Sequence, residues 1–103
     1  MPTAFITAPP DAAAEIARTL VDERLAACVN RVSCRSTYRW DGEVHDDEEE
    51  ILLAKTTDNA YDELAERVEA LHPYDVPCIE RFEEDDVLPA FAEWRGDAVE
   101  AER

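Results

Sequence analysis

An α+β fold is predicted for this 103-residue chain by three observations: strand-like and helix-like apolar spacings alternate along it, two helical patterns each lie between extended ones, and an Asp-Gly dipeptide joins the middle pair of strands. Thr3 to Ala8 reads as a short buried strand centred on Ala4-Phe5-Ile6 and ended by Pro9-Pro10. Asp11 offers a carboxylate to a helix N-terminus, and Ala13, Ile16, Ala17, Leu20, Val21 and Arg24 recur on one helical face, predicting a helix to about Arg24. Ala27-Cys28-Val29 and Val32 open a second strand that runs through Thr37, Tyr38 and Trp40 to Asp41-Gly42. Asp-Gly suits a two-residue turn with positive backbone angles, so Trp40 should face Glu43, Arg39 should face Val44 and Tyr38 should face His45.

After the acidic run Asp46 to Glu50, Ile51-Leu52-Leu53-Ala54 shows no alternation, as expected of a central strand covered on both faces or at a subunit contact. Thr57-Asp58 is the expected cap of a second helix with Tyr61, Leu64, Val68 and Leu71 on one side. His72-Pro73-Tyr74-Asp75-Val76-Pro77-Cys78-Ile79 is a turn fenced by two prolines, which stop the helix near Leu71 and start a strand at Val76 that reaches Phe82. Leu88, Phe91, Ala92 and Arg95 mark a short last helix before Gly96. The order β-α-β-β-α-β-α describes one domain over residues 1–103, a ferredoxin-like βαββαβ sandwich with an extra C-terminal helix. Right-handed crossovers put both long helices on one side of the sheet, leaving a face that another subunit should bury, with the hairpin bearing Tyr38 and Trp40 reaching across. An oligomer is expected.

Composition narrows the function classes. A chain this long buries roughly 65% of its unfolded surface and needs no metal or disulfide to fold. The formal charge is −16, from 26 acidic against 10 basic residues, and Lys55 is the only lysine. Nucleic acid and anionic membranes, which both require cationic surface, are excluded as partners. The excess is distributed through periodic segments and reads as a solvated acidic shell, the pattern of a halophile's cytosolic protein. Cys28, Cys34 and Cys78 cannot all pair and form no CxxC, which points to a reducing compartment. No apolar run approaches the roughly 18 residues of a membrane span, and Met1-Pro2-Thr3-Ala4 has no basic leader, so a soluble cytoplasmic protein is expected.

Four blocks then carry a resemblance. Leu25-Ala26-Ala27-Cys28-Val29-Asn30, Tyr38-Arg39-Trp40-Asp41-Gly42, Lys55-Thr56-Thr57 and His72-Pro73-Tyr74-Asp75-Val76-Pro77 are similar, in order and spacing, to the CutA divalent-ion-tolerance family. The likeness runs from Thr7-Ala8-Pro9 to Trp94. It implies a PII-like homotrimer of ferredoxin-like subunits, cytosolic, linked to copper and other divalent cations and without an established catalytic reaction. Relatives usually carry glutamate where this chain has Cys78, with Glu80 two residues later. Some carry a cysteine near Ile6 or Ala8 and a second histidine at the position of Leu71.

The candidate sites follow from residue chemistry. His72 and Cys78 are ligands that copper and zinc favour, with Cys28, Glu80 or a residue of another subunit as the third; the competing reading makes Cys28 and Cys78 small core fillers. The carboxylates of residues 46–50 point alternately to opposite faces and lack a calcium loop, which favours diffuse cation condensation. Lys55 ends an apolar strand and serves either an ion pair across a subunit contact or a small anionic ligand. Tyr38, Trp40 and Tyr74 are ligand or interface aromatics. Catalysis by a Cys78 nucleophile lacks the positive surroundings that would lower its pKa. The sequence therefore reads as a homotrimer that binds or senses a divalent or copper ion and is not an enzyme. The alternative is a PII-like sensor that takes a small anion in an inter-subunit cleft and reports to a protein partner.

Overall fold

The computed structural model describes residues 1–100. The elements are β1 (Pro2–Ala8), α1 (Pro10–Asp22), β2 (Cys28–Trp40), β3 (Glu43–Lys55), α2 (Tyr61–Leu71), β4 (Ile79–Glu83) and α3 (Pro89–Glu100). They form the expected ferredoxin-like sandwich, with one antiparallel sheet in the order β2-β3-β1-β4. The hairpin register is the expected one: Trp40 pairs with Glu43, Arg39 with Val44 and Tyr38 with His45. Asp41 and Gly42 both take positive φ, 55° and 82°, as a tight turn matched to strand twist demands.

Side chains alternate across the sheet, so each strand contributes to two surfaces. One is closed within the chain. Ala4, Ile6 and Ala8 of β1 and Leu52 and Ala54 of β3 pack with Ala13, Ile16 and Leu20 of α1 and Leu64 and Val68 of α2, all fully buried. The opposite surface carries Phe5, Val32, Leu53 and Phe82, with Phe5 and Phe82 stacked at 5.4 Å. Among the described residues no helix lies over its middle, and Val32 and Phe82 remain 48% and 49% exposed. The strand over 51–54 is central, as expected, but its two faces differ: Leu52 and Ala54 are buried while Ile51 and Leu53 are only half-buried.

Several boundaries differ from expectation, each for a local reason. Helix α1 starts at Pro10 with Pro9 at the cap position, so Asp11 lies in the first turn and does not cap. The helix stops at Asp22, and Arg24 leaves it with φ 59°. Leu25 N–H bonds the Leu20 carbonyl at 2.9 Å and Arg24 N–H that of Val21 at 3.1 Å, the paired bonds that close a helix around a left-handed residue. The Arg24 guanidinium compensates for the strained position by donating to the Ala98 carbonyl in α3 at 3.0 Å. At α2 the turn precedes the helix: Ala60 N–H donates to Thr57 Oγ1, while the helix begins at Tyr61. Strand β4 starts at Ile79, because Val76 and Pro77 belong to the turn. Helix α3 continues through Gly96, where an added Cβ would stand 3.7 Å from the Met1 side chain.

Helix α3 covers one end of the sheet. Val99 packs with Ala27 and Ala60. Arg95, 2% exposed, donates to the Pro2 and Thr56 carbonyls and pairs with Glu84 at 2.8 Å. At the other end the β2–β3 ribbon continues alone. The pairing of β1 with β3 ends at Ala8 and Glu50, so residues 43–49 and their β2 partners project beyond the sheet and stretch the molecule to 45 × 26 × 19 Å. Cross-strand pairs line this ribbon, Arg35 with Glu48 at 3.4 Å and Thr37 with Asp46 at 2.6 Å. A two-stranded ribbon is marginal in water without further support.

Candidate functional site

Where the ribbon leaves the sheet, the turn after α2 folds back beneath it. Ser36, Tyr38 and Trp40 alternate along β2 toward this side, and Asp47 and Glu49 do so along β3. Together with Thr7 and the turn residues Pro73, Tyr74, Asp75, Val76 and Cys78, these strands enclose a cavity of about 500 Å³.

The imidazole of His72 fixes the turn. Its Nε2 lies 2.8 Å from the Thr7 carbonyl and so carries the donated proton, while Nδ1 accepts the Tyr74 N–H at 3.1 Å. Both ring nitrogens are engaged, the ring is buried, and the Tyr74 ring sits 4.8 Å away. The proline after His72 prevents α2 from continuing, and this placement follows. Tyr74 then points into the cavity and donates its hydroxyl to Glu49 Oε2 at 3.0 Å. Burial first, and then that bond to a carboxylate, push the Tyr74 phenol well above its ordinary pKa. Tyr38 donates to Asp47, which raises its phenol as well, and it stacks on His45 at 5.5 Å. Both phenols stay neutral donors at physiological pH.

Cys78 lines the cavity with its thiol 3.7 Å from Glu80 Oε1. Burial pushes this thiol up and the Glu80 carboxylate adds to the shift, outweighing a hydrogen bond with Thr7 that lowers it. The group is a thiol rather than a thiolate at neutral pH, unsuited to nucleophilic attack.

Of the residues singled out from the sequence, Tyr38, Trp40, Tyr74 and Cys78 meet in this cavity, and His72 and Glu80 adjoin it. Cys28 and Lys55 do not. They pair with each other at the far end of the sheet beside Thr3, whereas Cys78 leads into Ile79, which pairs with Ile6. The Lys55 ammonium donates to Asn30 Oδ1 at 2.8 Å. Among the described residues of one chain, no group of three or more His, Cys, Asp or Glu side chains converges as a metal cluster. Glu49 is the residue that sequence reasoning missed. It lies within the acidic run but is only 5% exposed, the single buried carboxylate of residues 46–50. Strand parity places it on the same side as Ile51 and Leu53, and that parity was its signal.

Comparison with known proteins now has a site to refer to. The sequence model of the CutA1 divalent ion tolerance protein family matches residues 3–98. A divalent-cation tolerance protein CutA of Thermus thermophilus is 58% identical over 77 residues, covering 73% of this chain and 75% of that protein. The structure of the PII-like protein CutA from Nostoc sp. PCC 7120 in apo form superposes with a TM-score of 0.92 at 33% identity, covering 96% of this chain and 97% of the other. That of a periplasmic divalent cation tolerance protein CutA from Archaeoglobus fulgidus does so with a TM-score of 0.92 at 33% identity over 97% and 100% of the two chains. Among the described residues no helix is long and apolar enough to cross a membrane.

Proposed function

The chain belongs to the CutA1 divalent ion tolerance family, and on that premise we propose that it acts in cation tolerance by binding a copper-like or divalent ion at the Cys78–Glu80 edge of the cavity, as a cytoplasmic homotrimer. The observation that carries this reading is the approach of the Glu80 carboxylate to the Cys78 thiol that lines the cavity, 3.7 Å apart. Thiolate sulfur selects soft and borderline ions, and a neighbouring carboxylate completes a mixed site suited to Cu(I) or Zn²⁺. His72 joins the ligand set by exchanging its Nδ1 bond from Tyr74 for the metal. Two or three ligands from one chain leave the site open, and a neighbouring subunit supplies the rest.

The half-exposed Val32 and Phe82 and the unsupported ribbon favour assembly, since an apolar sheet face of this kind is normally covered. Because the Cys78 proton must leave before sulfur binds metal, affinity should rise with pH across the neutral range. Calorimetric titration of the reduced protein with Cu(I) and then Zn²⁺ in molar KCl tests the reading. The expected result is a salt-resistant site of defined stoichiometry, weakened at least about tenfold in Cys78→Ser. Heat that disappears in molar salt, or that the variant retains unchanged, rejects it.

A further inference from the structure

We propose that the cavity beneath the ribbon is a binding site for a small organic ammonium ion, held between the aromatic walls of Tyr38, Trp40 and Tyr74 and the buried carboxylate of Glu49. This site is distinct in ligand class from the metal edge at Cys78 and Glu80, and stands or falls separately from it.

Four properties of the cavity point to this ligand. Its charge is negative: Glu49 and Asp75 line it, Asp47 accepts the Tyr38 hydroxyl just behind the wall, and no arginine, lysine or histidine is among the described lining residues. The Glu49 carboxylate is removed from solvent and receives the neutral Tyr74 hydroxyl, which leaves its charge without a compensating cation there. Burying such a charge is costly, and a cationic ligand recovers that cost. The walls are aromatic, and the faces of tryptophan and tyrosine attract weakly hydrated cations, ammonium groups above all. Elsewhere in the chain this attraction is already used internally, Arg81 standing 5.0 Å over the Tyr61 ring and Arg95 5.3 Å over that of Phe91. Finally, about 500 Å³ far exceeds what a bare inorganic ion fills and falls within the range of small-molecule sites. The hydroxyls of Ser36 and Thr7 add polar contacts for a ligand that carries its own donors or acceptors.

Choline chloride and its neutral carbon isostere 3,3-dimethylbutan-1-ol are the probes. Each is titrated calorimetrically into the intact protein in molar KCl, which suppresses diffuse condensation on the acidic surface. A second measurement follows Trp40 fluorescence in a Trp94→Phe background. Saturable choline binding is expected, with the isostere and the Glu49→Gln variant each at least about tenfold weaker. Trp40→Leu should weaken binding severalfold with the fold intact, because this side chain is 50% exposed at the rim. Absence of saturable binding overturns the proposal, and would be the outcome if a cationic side chain of a second copy fills the cavity. Equal binding of the isostere, or full binding by a folded Glu49→Gln protein, overturns it too. The choline titration is run in the presence of EDTA, so saturable binding is read without any metal and its outcome is separate from that of the metal titration.

Discussion

The two faces of the sheet are built by alternate residues of the same strands, yet they reach very different ends. On the helix side, Ala4, Ile6, Leu52 and Ala54 find α1 and α2 and lose all contact with water. On the other side, neighbours one residue away, Phe5, Ile51 and Leu53, are only partly covered, and Val32 and Phe82 stay half in solvent. Even that second face is uneven. Where α3 reaches it, Thr3 is buried under the Glu84–Arg95 pair; where only the ribbon and the turn meet, a cavity remains. Stability therefore resides on the covered face, and the proposed binding and assembly on the uncovered one.

The largest effect that would test this division is on assembly. Val32→Asp puts a charge in the middle of the uncovered face and should reduce the proposed homotrimer to single chains in sedimentation velocity, while far-ultraviolet circular dichroism stays native. If the variant sediments as the parent does, that face is not the contact. By contrast, Leu52→Ala on the covered face should lower unfolding stability by about 3 kcal/mol, because a fully enclosed side chain leaves a cavity. A loss below about 1 kcal/mol in chemical denaturation would mean that the covered core is looser than its burial implies.

A smaller effect concerns the capped end. Burial raises the Glu84 carboxyl, but hydrogen bonds from Arg95 and Thr3 and the Arg95 charge outweigh it, so the folded-state pKa lies below the ordinary value. A group depressed in this way stabilises the fold above its unfolded pKa, about 4.3, and loses that contribution as pH falls through the folded value. Thr3→Val removes one of the bonds at 2.9 Å. It should cost about 1 kcal/mol at pH 7 and less at a pH below the depressed folded-state pKa, where protonation removes the charge that the bond serves. An equal cost at both pH values would show that packing, and not the charge, is what Thr3 supplies.

The smallest effect acts on the whole surface. With a formal charge of −16, self-repulsion should relax as salt screens it, raising Tm by about 5 °C between dilute buffer and molar KCl. A flat response would remove the halophilic reading of the composition.

Much of the fold is legible in the sequence. Alternating periodicity named the elements, and Asp41-Gly42 set the register through Tyr38 and His45, because a two-residue turn leaves no freedom in pairing. The ends of elements were less legible. Arg24 lies on the apolar face by spacing, but a left-handed exit from α1 was favoured by bonds to Leu20 and Val21 and by a contact 74 residues away at Ala98. Helix α3 passes Gly96 because its docking through Arg95 and Val99 outweighs one residue's weak preference.

The sequence alone thus determined the ferredoxin-like order, the covered core, the acidic character and the family, since each follows from local pattern and composition. Only the tertiary structure decided which polar residues share a space. It brought Tyr38, Trp40, Tyr74 and Cys78 together, sent Cys28 and Lys55 to the far end of the sheet, and distinguished buried Glu49 from its exposed neighbour Glu48. The physical reason is that a strand's period assigns a residue to a face, but its burial depends on what the rest of the chain lays over that face.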